Sequence, residues 1–171
     1  MTHADVLFDN ITGSDADSKG WIIGDLPGFT SNLAYAHRIT LDSPGLYDIS
    51  EMVFGLRLDS NFGNSPGLFD IEVYQGSTDA GTLPGTLVWT ETGVIDTPPG
   101  VPTYVSVLFD GLTLDTNQDI WIAVTLNDAD PDNSLAWTWN TIGDVGLASL
   151  REDFTGGQWA LSTDNSVLGQ L

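Results

Sequence analysis

Apolar and polar residues alternate along most of this chain, in short runs separated by Gly, Pro, Asp and Asn. A period of two places successive side chains on opposite faces of a β-strand, whereas a helix would repeat every three to four residues. The clearest run is Asp119–Asn140. Ile120, Ile122, Val124 and Leu126 share one face, and Asp119, Trp121, Ala123 and Thr125 share the other. A second segment sets Leu135, Trp137 and Trp139 against Ala136, Thr138 and Asn140. The pattern predicts two half-buried strands, paired with each other and joined by the acidic turn Asn127–Asn133.

The same reading extends along the chain. Strands are predicted at Asp5–Asp9, from Lys19 to Ile23, and at Leu33–Leu41, where Leu33, Tyr35, His37, Ile39 and Leu41 face one way. A longer one runs from Tyr47 to Leu58, with Met52, Phe54, Leu56 and Leu58 opposite Val53, Gly55 and Arg57. After the loop Asp59–Gly67 comes Phe69–Tyr74, whose Asp70, Glu72 and Tyr74 predict a wet face. Gly76–Gly85 reads as a turn-rich link into Thr86–Thr90, and Thr97–Pro102 as a rigid loop. Tyr104–Phe109 is predicted to end in a turn at Asp110-Gly111, with Leu112–Leu114 beyond it. Gly146–Leu150 and Gln158–Ser162 close the series, and no window calls for an amphipathic helix. Short strands at this spacing predict an all-β fold, an antiparallel two-sheet β-sandwich of jelly-roll-like form. With 171 residues and no linker, the chain is read as a single domain spanning 1–171.

Charge changes the picture of partners. Four Lys and Arg against 24 Asp and Glu give a formal net charge of −20. Without a basic cluster, nucleic acid and anionic membrane surfaces are poor partners. Such an excess repels itself unless salt or bound cations relieve it. There are no cysteines, which removes disulfides and thiolate chemistry but is compatible with either side of a bacterial envelope. The opening Met1-Thr-His-Ala-Asp5 has no basic, apolar leader, and no apolar run is long enough for a membrane-spanning helix, so membrane insertion is not expected.

Three chemistries merit weighing. Calcium takes six to eight oxygens, and Asn127, Asp128, Asp130, Asp132 and Asn133, preorganised by Pro131, form the densest oxygen-rich group, a candidate structural Ca2+ site. Asp15 and Asp17 are spaced like alternate ligands but lack an EF-hand's later Glu. A solvated turn is the simpler reading of Asp15 and Asp17, and in a chain acidic nearly everywhere it also competes with calcium at Asn127–Asn133. Trp137 and Trp139 share a face and are candidate carbohydrate-binding residues, with Trp121 and Trp159 as supplements; Leu135 on that face argues for core packing instead. For catalysis, Asp70 and Glu72 resemble a carboxylate pair, but alternate residues on a solvated strand give the same pattern. His37 reads as a sheet-face or interface histidine and His3 as exposed. No nucleophile elbow, zinc motif or phosphate loop is present, so neither catalysis nor an organic cofactor is expected.

The order Asp5–Asp9, Phe69–Tyr74, Pro84–Val88, Asp119–Val124 and Asn133–Trp139 resembles the bacterial choice-of-anchor β-sandwich domains that accompany PEP-CTERM-type sorting segments. The resemblance covers most of the chain and implies an extracellular, noncatalytic module. It supplies no ligand or catalytic residues. The end, Asp164–Leu171, lacks the proline-containing anchor, apolar helix and basic tail of that pattern. The combined expectation is an extracellular or cell-surface structural or interaction subunit, in a matrix or virion assembly. It would be stabilised by calcium and joined to itself or another protein through sheet edges or termini. A carbohydrate-binding module is the alternative, and a glycan-active hydrolase a more distant one.

Overall fold

In a computed structural model, the structure describes residues 20–25, 32–39, 44–57, 69–78, 83–92, 103–126, 134–138, 147–153 and 159–161. The ordered segments there are strands: β1 (Gly20–Asp25), β2 (Asn32–Ile39), β3 (Leu46–Arg57), β4 (Phe69–Thr78) and β5 (Leu83–Glu91), followed by β6 (Thr103–Asp115), β7 (Ile120–Leu126), β8 (Ser134–Thr138), β9 (Leu147–Asp153) and β10 (Trp159–Leu161). The all-β, two-sheet expectation holds. All pairings are antiparallel.

The connectivity is nested. β4 pairs with β5, β3 with β6, β2 with β7 and β1 with β8, as though one long hairpin had been rolled up. Lateral pairings sort these into two layers. One runs β5–β4–β7–β2 and continues through β9 to β10; the other runs β6–β3–β8–β1. β1 is the corner strand. Its end residues Gly24 and Asp25 pair with Leu33 and Asn32 of β2, while the rest pairs with β8.

The main core lies between the layers. Phe69, Ile71 and Val73 of β4, Ile120, Ile122 and Val124 of β7 and Ile39 of β2 meet Phe54 of β3 and Val107, Phe109, Leu112 and Leu114 of β6. The alternation read from the sequence identifies these faces correctly. His37, on the same face of β2 as Ile39, is fully buried and pairs with Ile122 of β7.

Several expectations change. First, β7 is buried on both faces, because a second cluster of Ala36, Tyr74, Trp121 and Ala123, backed by Trp159, covers its far side. β7 also lies between β4 and β2, and Ala123 and Trp121 on its far face are as enclosed as its isoleucines. Tyr74 is likewise buried, and the wet face predicted for Phe69–Tyr74 is only half wet at Asp70 and Glu72.

Second, β7 and β8 are not partners. Both edges of β7 are taken by β4 and β2, and β8 pairs with β1 and β3. Third, Asp110-Gly111 is no turn: β6 runs straight through it. Gly111 sits at φ 83°, and the register with β3 slips between Ile49 and Glu51. This bulge resets the phase, letting Phe109 and Leu112, an odd number of residues apart, both enter the core. β4 and β5 also extend into the link predicted at Gly76–Gly85, with Ser77 opposite Pro84.

Candidate functional site

Two constellations stand out. The first is a polar joint where β4 meets the start of β7. The Trp121 indole N–H donates to Ser77 Oγ at 2.9 Å, and the Ser77 hydroxyl donates to Asp119 Oδ2 at 2.5 Å. Arg38 Nη1 lies 3.6 Å from the same carboxylate oxygen, and its guanidinium sits 5.9 Å from the Trp121 ring centroid. The Gly76 N–H donates to the Asp119 carbonyl at 2.8 Å. Ser77 is thus engaged as donor and acceptor at once. The arrangement satisfies a buried indole and locks three strands together, which is a structural task rather than nucleophilic chemistry.

The adjoining turn from β6 to β7 is held by Asp115. Its carboxylate accepts from Asn117 Nδ2 at 2.7 Å, the Asn117 backbone N–H at 3.0 Å and Gln118 Nε2 at 3.2 Å. These bonds, the Asn117 side chain foremost, then its backbone and Gln118, hold the Asp115 carboxyl below the usual aspartate value of 3.8. A lowered folded-state pKa contributes stability above the unfolded value and loses it as pH falls through the folded one. The stability difference between the parent and Asp115→Asn should therefore shrink as urea melts are repeated from pH 6 downward through 3.8. A difference constant with pH would reject that role.

The second constellation is the outward face of β3 and β6. Leu46 is 74% exposed and Leu108 72%, with Val53 also open. Acidic groups stand among them: Glu51 lies across from Leu108 and accepts from the Ser106 hydroxyl, and Asp48 accepts from Thr113 Oγ1 at 2.7 Å. Asp110 is exposed on the bulge. Among the described residues β6 pairs only with β3. Sequence reading missed this face. The signal was Leu108 itself, an apolar residue out of phase between core-facing Val107 and Phe109.

The residues singled out from sequence fall differently. Asn127, Asp128, Asp130, Asp132 and Asn133 lie outside the described residues, as do Trp139, Asp5–Asp9, Asp15, Asp17 and His3. Trp137 is placed by its backbone in β8, opposite Trp21 and Leu56, and its side chain is not among those described. Trp121 is completely buried and Trp159 packs edge-on against Tyr74 at 5.8 Å, so Trp121 cannot supplement a sugar platform. Glu72 of the Asp70/Glu72 pair accepts the Tyr74 hydroxyl at 2.5 Å. Among the described residues no three His, Asp or Glu side chains converge as a metal site would require, and no helix is long and apolar enough to cross a membrane. Against known proteins, no family model, curated protein or solved structure matches the chain.

Proposed function

We propose that the chain is an extracellular, noncatalytic structural or interaction subunit that joins other chains through a sheet edge, on a jelly-roll-like sandwich. The exposed Leu108 and Val53, on a 13-residue β6 paired on one side only among the described residues and on its partner β3, are the observation that carries this reading. A long open edge is a template for a further strand, and soluble proteins ordinarily blunt it. The nested pairing of β1 with β8 through β4 with β5 supports the jelly-roll form. Acidity and the choice-of-anchor resemblance support a location outside the cell, where calcium and salt screen a net charge of −20.

Light scattering after size exclusion tests the assembly. In calcium and salt the chain should exceed its monomer mass of 18.3 kDa, and chelation should return it toward that mass and lower its melting temperature. An 18.3 kDa species in every condition would remove self-assembly, and melting indifferent to chelation would remove calcium stabilisation.

A further inference from the structure

We infer that Asp110-Gly111, in the bulge of β6, is a site of self-modification, where the folded chain converts Asp110 to isoaspartate through a succinimide. Asp110 is the only Asp or Asn in the sequence that precedes a glycine. The ring closes when the next residue's amide nitrogen reaches the side-chain carboxyl carbon, so a side chain on that residue stands in the way. Asp48, Asp70 and Asp119 precede isoleucine and Asp115 precedes threonine, branched residues that crowd the approach. Gly111 presents no such obstacle, and even a Cβ built there would meet nothing within 4 Å.

The bulge itself favours closure. Asp110 and Gly111 are both exposed, and neither has a partner in the β3 ladder, which pairs Ile49 with Leu112 and next Glu51 with Leu108. Among the described residues, hydrogen bonds hold the carboxylates of Asp48, Asp115 and Asp119, and none holds that of Asp110. Gly111 sits at φ 83°, and glycine takes negative φ as readily. The Asp110–Gly111 peptide can therefore turn over and bring its nitrogen toward the carboxyl. That nitrogen forms a bond to the Asp110 carboxyl carbon, and the carboxyl OH leaves with the amide proton as water. A second water then opens the ring. Attack at the original backbone carbonyl sends the main chain through the former side chain, giving isoaspartate; attack at the other carbonyl restores aspartate. Nothing is oxidised or reduced, and water is the only co-reactant. Isoaspartate adds a methylene to the main chain between Phe109 and Leu112, both held in the core, and so loosens the ladder beside the bulge.

The test ages the full, folded chain for weeks at neutral pH beside two variants. Asp110→Glu has a longer side chain that closes a ring far more slowly, and Asp110→Asn carries an amide whose ammonia leaves more readily. Isoaspartate is counted by enzymatic methylation and located by electron-transfer fragmentation. It should build up at position 110 about tenfold or more faster than at any other Asp, and about tenfold faster again in Asp110→Asn. Total isoaspartate should fall about tenfold in Asp110→Glu. Aged parent, unlike aged Asp110→Glu, should lose hydrogen-exchange protection in β3 and β6 beside the bulge. Equal isoaspartate in parent and Asp110→Glu would overturn the inference. So would isoaspartate at position 110 that forms only after unfolding in urea, because the fold would then be shielding the Gly111 amide. Isoaspartate at 110 with exchange unchanged would overturn the loosening drawn from it.

Discussion

Replacing Trp121 with alanine is expected to lower the unfolding free energy by about 3–5 kcal/mol, the usual cost of truncating a fully buried large side chain. Trp121 is the largest wholly buried side chain described, at 0% exposure. It sits on the far side of β7 from the main core, in the cluster with Ala36, Ala123 and Tyr74. Small neighbours make the cavity hard to refill, because alanines have no side-chain reach to collapse into it. The indole N–H also leaves Ser77, whose hydroxyl bridges to Asp119. Trp121→Phe keeps most of the volume and should cost less than alanine: it loses the hydrogen bond, worth about 1 kcal/mol net, together with the smaller cavity left by the missing second ring. Urea melts of both variants provide the check. A loss under about 1 kcal/mol for alanine, in the range typical of surface positions or a little above, would mean the second cluster is not a genuine core.

Gly85→Ala is the second large effect, expected at about 1–3 kcal/mol from forced overpacking. A Cβ at Gly85 would stand 2.5 Å from the Gln75 carbonyl oxygen and 2.7 Å from the carbonyl carbon and oxygen of Gly76. All three are backbone atoms of β4, so no rotamer change can relieve the clash. The β4–β5 ladder must open, and the strain is passed to Asp119, which accepts from Gly76. Gly111→Ala is the informative comparison. Its Cβ would meet nothing within 4 Å, but its φ of 83° is left-handed, so the cost is conformational, about 1–2 kcal/mol. Hydrogen exchange should show the difference in location: Gly85→Ala should deprotect β4 and β5, and Gly111→Ala should affect only β3 and β6 near the bulge. Parent-like melting and exchange in Gly85→Ala would refute the close approach of these strands.

Much of the strand content was legible from alternation alone. Tyr35, His37 and Ile39, Phe69, Ile71 and Val73, and Ile120, Ile122 and Val124 are each one face of a strand in the sequence and one face in the fold. Pro84 and Gly85 were misread as part of a turn because their backbone preferences are local, whereas their place in β5 follows from pairing with β4. The candidate calcium residues and Trp139 fall outside the described residues, and of Trp137 only the backbone is described. The exposed position on β6 was not legible for a different reason. Leu108 belongs to an apolar run, and nothing within that run says which of its members lacks a facing layer.

The sequence by itself determined that the chain is built of strands, with core-facing residues set by a period of two, and that its surface is strongly acidic. These are properties of neighbouring residues and of composition. Tertiary structure alone decided which strands are partners, that β7 and β8 lie in different layers, and that Trp121 is enclosed while Leu108 is not. The physical reason is that alternation assigns a side chain to a face but not an environment to that face. Strand order and layer packing do that, through hydrogen-bond ladders between residues distant in the chain.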